Sequence, residues 1–374
     1  MARPFRYTFI LGLVAAGTAL AAVGGWRYAR ASAPVSGPII LITIDALRAD
    51  RLPLYGYSRV KTPAFDALGA DGVVFERAYS HVPQPLPAHA SLFSGRLPFE
   101  TGVRDGVGFA VKDGERMLAE VLSDRDYATG AVVSSIALGR ETGLAQGFAF
   151  FDDRFDEPDN PESPIRRSGE ASERVAERWL QSAGTPRAFL FLHLADLHAP
   201  SAWASRVDQD EPYDGAVAHV DDIVGRLMKY LKGHQLYDQS TIILVGGHGE
   251  GLGSHGELAH GLWVYDEAVH VPLVVKQAAG EGAGRRVTDL VQHVDLMPTI
   301  LDLAKAPVPN NLRGQSLKPL LAGPGHLPRR LAYAESLLGT WTVFGNQRQA
   351  AAVRAEARRT LATPRAAIPA PAQE

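Results

Sequence analysis

Three short apolar runs, Pro38 to Ile44, Ala188 to Leu194 and Thr241 to Val245, constrain this chain more than any other feature. Each stops at polar residues, as strands covered on both faces do. Helical segments alternate with them. Thr62-Pro63 opens one, with proline in the first turn, and it ends at Gly72. Another runs from about Asp214 to Lys232, placing Val217, Val220, Val224, Leu227 and Leu231 on one face and Gly233 at the cap. A third, Asp295 to Ala304, has Pro298 in its first turn. The alternation predicts an α/β domain with a mainly parallel central sheet flanked by helices. Asp152 to Arg167, rich in Asp, Glu and Pro, reads as a surface loop.

Composition narrows the function classes. The net charge of −3 leaves no footprint for nucleic acid. With no cysteine in 374 residues, disulfides, thiolate metal sites and any cysteine nucleophile are excluded. Arg3 and Arg6 precede an uncharged run from Tyr7 to Trp26, and Arg27 and Arg30 follow it. A run of about 20 residues can span a bilayer as a helix. Residues 1–33 are therefore expected to be a signal-anchor, with cleavage and secretion as the alternative, and the folded part is expected to be exported. The tail 347–374 is dominated by Ala, Arg and Pro.

In open α/β sheets, ligands bind beyond the carboxyl ends of the strands. The residues found there are Asp45 to Asp50, then Ala195-Asp196-Leu197-His198, then Gly246-Gly247-His248-Gly249-Glu250 with His255 and His260. Carboxylates and imidazoles from three strand ends suit a hard or borderline divalent cation. Singly, each is an ordinary strand-end residue. Together and in this order they form a candidate site.

Ile42-Thr43-Ile44-Asp45, Thr62-Pro63, His81 to Arg96, Thr101-Gly102-Val103-Arg104-Asp105, His193 to Pro200, Gly247 to Glu257 and Val271-Pro272-Leu273 follow one another in an order that resembles the sulfatase family, within the alkaline-phosphatase superfamily. Gly314-Gln315-Ser316-Leu317 and Tyr333-Ala334-Glu335-Ser336 extend the likeness. The resemblance implies an alkaline-phosphatase-like sandwich over residues 38–346, with the small C-terminal subdomain truncated. It also implies hydrolysis of sulfate monoesters, or of phosphate esters, assisted by a divalent cation, commonly calcium in sulfatases. Carried onto this chain, Asp45 and His248 become metal ligands. His89, His198 and His260 become the catalytic and anion-binding imidazoles, with Asp196 and His255 beside them for substrate. The resemblance further implies that a helix N-terminus assists anion binding.

Three departures cut into that chemistry. Pro85 occupies the nucleophile position, where the family carries Cys, Ser or Thr, and a pyrrolidine ring cannot attack sulfur or phosphorus. Ala88 replaces the signature serine, and Gly247 replaces a metal-binding aspartate. Ala46 also stands where many sulfatases have a second aspartate. Metal affinity is therefore expected to be weak or absent. The readings that remain open are an impaired ester hydrolase, a non-catalytic anion-binding protein at the membrane, and a phospho-head-group transferase.

Overall fold

The computed structural model describes residues 37–156, 166–198 and 210–338. The N-terminal apolar run, Ala199-Pro200 and the tail from residue 339 lie outside the described residues, and so do the expectations that fall on them. Among the described residues, no helix is long and apolar enough to cross a membrane.

Eight strands make one sheet: β1 (Ile39–Ile44), β2 (Val73–Tyr79), β3 (Ala128–Val132), β4 (Phe150–Asp152), β5 (Ala188–Leu194), β6 (Thr241–Gly246), β7 (His270–Lys276) and β8 (Arg285–Gln292). Their spatial order is β4-β3-β5-β1-β6-β7-β2-β8. All neighbours run parallel except β7, which is antiparallel to both β6 and β2. The three strands expected from sequence are the adjacent central ones, β5-β1-β6. Every residue of the three is buried, which explains their continuous apolar character.

Side-chain alternation divides the core in two. Ile40, Ile42 and Ile44 pack with helices α1 (Pro63–Ala70), α3 (Gly169–Ala183) and α4 (Asp210–Gly233) on one face. Ile39 and Leu41 point the other way, toward α2 (Pro85–Ser94) and α5 (Leu296–Leu303). Helices thus cover both faces of the sheet, as the α/β reading requires. The α4 stripe of Val217, Val220, Val224, Leu227 and Leu231 is fully buried.

The loop after β4 begins and ends differently from a surface loop. Asp152 and Arg167 are both buried and form an ion pair, and Arg167 Nε also bonds Ser172 Oγ at 3.0 Å. A buried arginine needs such partners to offset desolvation, so the charges that look solvated in sequence are anchors in the fold.

Candidate metal and anion site

The site is built where the central strands end. Asp45 N donates to Leu194 O at 3.0 Å and Gly247 N donates to Ile44 O at 2.9 Å, so the ladder continues one residue beyond β1 and β6. Ala46 then turns the chain through a left-handed conformation (φ 59°), uncommon for a residue with a Cβ. The buried Tyr213 hydroxyl holds that turn, donating to Ala46 O at 2.8 Å and accepting from Arg48 N at 2.9 Å.

Two clusters of ligating side chains result. Asp45, His89 and His193 form one, and His198, His248 and His260 form the other. They meet at Asp45. Its Oδ2 lies 2.9 Å from His193 Nε2, while its Oδ1 lies 3.9 Å from His248 Nε2. Asp45 Oδ1 and His248 Nε2 are both buried and have no hydrogen-bond partner among the described residues. Two orphaned polar atoms facing one another are costly unless something is shared between them. Burial disfavours the Asp45 charge, but His193 and His248 outweigh it and hold the carboxyl well below the usual carboxylate range.

The imidazoles separate by environment. His89 is buried, and both ring nitrogens are committed: Nδ1 to Pro85 O at 2.7 Å and Nε2 to Thr43 Oγ1 at 2.8 Å. Burial pulls it down to about 4. It braces α2 against β1. His198 is also drawn to about 4, by burial and by the neighbouring His260, and the same two causes drive His248 well below the ordinary imidazole value. His260 moves the opposite way. Burial works against its charge, but Glu250, whose carboxylate oxygens lie 3.2 Å from Nδ1, raises it.

Asp196 and His255 stand apart from both clusters. Asp196 Oδ1 accepts from Gly169 N at 2.8 Å, at the start of α3, and groups with Glu170 and His219. His255 stacks on Tyr265 with ring centroids 3.7 Å apart and pairs with Glu267 at 2.5 Å. Sequence reasoning left His193 and Thr43 out of the site and placed Glu250 at a strand end without a role. The first two carried a signal: they are the polar residues inside otherwise apolar strands, and they sit opposite one another in register.

At the N-terminus of α2, where the family likeness would put a nucleophile, both side chain and backbone are poor in reactive and donor groups. Pro85 is the first helical residue of α2, and Gln84 caps it without a side-chain bond. Helix N-termini bind anions through their free amides. Here the first and third positions are Pro85 and Pro87, neither with an N–H, and Ala88 N already bonds Gln84 O at 3.3 Å. Only Leu86 remains among the first three positions. Of the hydroxyls flanking this segment, Ser80 Oγ is committed to Val82 O and Gly247 O, and Ser91 is fully buried within α2.

At Gly247, a Cβ would overlap Asp45 Oδ1 and lie 3.0 Å from His89 Cε1. The space that a side chain at this position would need is taken by Asp45 and His89.

The sulfatase family model matches residues 38–306. This chain belongs to the sulfatase family. It is 25% identical to N-acetylgalactosamine-6-sulfatase of Canis lupus familiaris, over 81% of this chain and 71% of that protein. It is 27% identical to Arylsulfatase A of Homo sapiens, over 82% of this chain and 72% of that protein. The fold matches the phosphonate monoester hydrolase SpPMH of Silicibacter pomeroyi with a TM-score of 0.64 at 22% identity, covering 79% of this chain and 78% of that one. The chain therefore spans about seven tenths of these two curated sulfatases. The family is generally metal-dependent, and the Asp and His groups described above are able to hold a cation.

Proposed function

We propose that this sulfatase-family protein recognises sulfate or phosphate monoesters at its strand-end site without hydrolysing them by the covalent route. The observation that carries this reading is the N-terminus of α2. Pro85 removes the attacking group and, with Pro87, leaves few amides to stabilise an oxyanion. Covalent catalysis and charge stabilisation each lower a barrier by several kcal/mol, and about 1.4 kcal/mol is tenfold in rate. Losing both removes most of the inherited hydrolase chemistry. Recognition rests on the imidazole side of the site, where His198 and His260 are the partly open members and Glu250 favours the charged form of His260.

The uncharged run from Tyr7 to Trp26 supports a protein held at, or exported across, a membrane. A phospho-head-group transferase would need the same nucleophile, so Pro85 weighs equally against it.

The test has two arms. Turnover of 4-nitrophenyl sulfate and 4-nitrophenyl phosphate is measured with calcium, magnesium, manganese or zinc, for the natural chain and for Asp45→Ala. Equal, background rates are expected. Stabilisation by sulfate or phosphate over chloride at matched ionic strength is then read from thermal melts. Saturable turnover lost in Asp45→Ala would overturn the silent reading; melts indifferent to all three anions would overturn the recognition reading.

A further inference from the structure

The calcium that the family implies fits this site poorly. Calcium takes about six to eight oxygen ligands. Here Asp45 contributes a single carboxylate, one oxygen of which is engaged by His193, and the remaining donors of the two clusters are imidazole nitrogens. Gly247 supplies no side chain at all. Such a donor set belongs to a different class of metal. Imidazole suits zinc and its first-row neighbours, and softer donors work against calcium and magnesium.

We infer that His198, His248 and His260 form a nitrogen tripod for a zinc-type divalent ion, with Asp45 Oδ1 as its anionic fourth donor. The ligating atoms of the three histidines lie within 4.8 Å of one another. Their ring centroids are 5.2 Å (His198–His248), 4.8 Å (His198–His260) and 4.2 Å (His248–His260) apart. Zinc–nitrogen bonds are about 2.0–2.1 Å long, so a modest reorientation of the rings turns one nitrogen of each into the coordination shell.

Two of the three rings are already oriented for the task. His248 Nδ1 lies 2.8 Å from Gly249 O, a carbonyl that only accepts, so the proton is on Nδ1 and the lone pair is on Nε2. His260 Nδ1 likewise faces both oxygens of Glu250, so that a metal displacing the Nε2 proton finds the ring held in place to ligate. A carboxylate or carbonyl behind the distal nitrogen is the outer shell that metal-binding histidines require. A pair of orphaned atoms points to the same ion. His248 Nε2 points its lone pair into a buried space 3.9 Å from Asp45 Oδ1, and among the described residues neither atom has another partner. An ion between them satisfies both.

Gly247 fits the same account. Without a Cβ there, Asp45 Oδ1 occupies the space that an aspartate at 247 would need. The loss of one carboxylate thus lets the remaining one approach the histidines. The bound ion would present its charge to an ester anion in place of direct imidazole contact. The tripod does not depend on whether turnover is lost, and its test reads metal content rather than rate.

The experiment uses the full chain, stripped with chelator, loaded with zinc, desalted and assayed by elemental mass spectrometry. Affinities come from competition calorimetry against a chelator of known strength, and cobalt substitution reports ligand number through its visible spectrum. One zinc per chain, a four-coordinate cobalt spectrum and calcium binding at least 100-fold weaker than zinc are expected. His248→Ala and His260→Ala should each lose at least 100-fold in zinc affinity. Glu250→Gln, which leaves all four donors in place, should lose about 10- to 100-fold. His255→Ala controls for adventitious surface binding and should change nothing. Circular dichroism of each variant checks folding, and Glu250→Gln stands as the decisive variant if an alanine variant unfolds. Failure of the natural chain to retain zinc, calcium outcompeting zinc, or zinc affinity unchanged in folded His248→Ala or Glu250→Gln overturns the tripod.

Discussion

The N-terminus of α2 and the turn after β6 stand at the same edge of the same sheet, yet they have departed from their family in different ways. At α2 the packing is complete, while the first turn offers no nucleophile. Every residue from Leu86 to Ser94 is buried, and His89 still ties the helix to β1, while the reacting position is a proline. After β6 the potential donors are still gathered together. A carboxylate is gone at Gly247, but Asp45 and His248 converge with unsatisfied atoms, and His198 and His260 complete a nitrogen-rich cluster. The contrast teaches that the packing of a helix and the reactivity of its first turn are separable, because burial stabilises and reactivity does not.

The largest effect that would sharpen this contrast is expected from Gly247→Asp. The new side chain meets Asp45 Oδ1 and His89 and adds a second buried carboxylate. An uncompensated buried charge costs about 3–5 kcal/mol, to be measured by urea unfolding without added metal. Near-native stability would mean that the site has room to relax. Restoring Pro85→Thr, Ala88→Ser and Gly247→Asp together is then expected to return activity only if a bound cation separates the two carboxylates.

Next comes His193→Ala, which leaves the Asp45 charge without its 2.9 Å partner. A loss of about 3 kcal/mol is expected on the same grounds. A change below about 0.5 kcal/mol would show that Asp45 is already neutralised by another group.

The pH dependence is a broader, intermediate test. Burial depresses His89 to about 4 and His293 to about 3, the latter also repelled by His81 and His89. The unfolded chain binds these protons at about 6.5, so their stabilising contribution is present above that pH and is lost as pH falls toward 4. Together they should lower unfolding free energy by about 2 kcal/mol between pH 6.5 and 5.5. His260, raised by Glu250, pulls in the opposite sense over a higher window, because its contribution is present below 6.5 and fades as pH rises. A flat profile from 6.5 to 5.5 would contradict the burial assigned to the first two.

The smallest effect separates the two regions most plainly. Pro85→Ala should change stability by less than about 1 kcal/mol, since proline at a first helical position has no hydrogen bond to lose. Its ester turnover should stay at background. A gain in rate would mean that the ring had been blocking a competent site.

Much of this was legible in the sequence because the central strands are buried on both faces and carry no alternation to misread. Ile39–Ile44 and Thr241–Gly246 begin and end within a residue of their apolar runs. The strand-end placement of Asp45 and His248 followed from the same reading. What was not legible depended on registers between distant segments. The meeting of His193 with Asp45, 148 residues apart, and the filling of the space at Gly247 by Asp45 and His89 are set by such registers, and the position of Glu250 behind His260 by the path of the loop between them. The buried Asp152–Arg167 pair reads as loop charge because its partners are joined only in the fold.

The central claim is that the nucleophile end is silent while the imidazole end still binds. The most direct measurement is the initial rate of 4-nitrophenyl sulfate and phosphate hydrolysis by zinc-loaded and calcium-loaded protein, against buffer with equal metal. The account predicts rates at background in both forms, with the zinc retained. Turnover that saturates with substrate and vanishes in His248→Ala would contradict it.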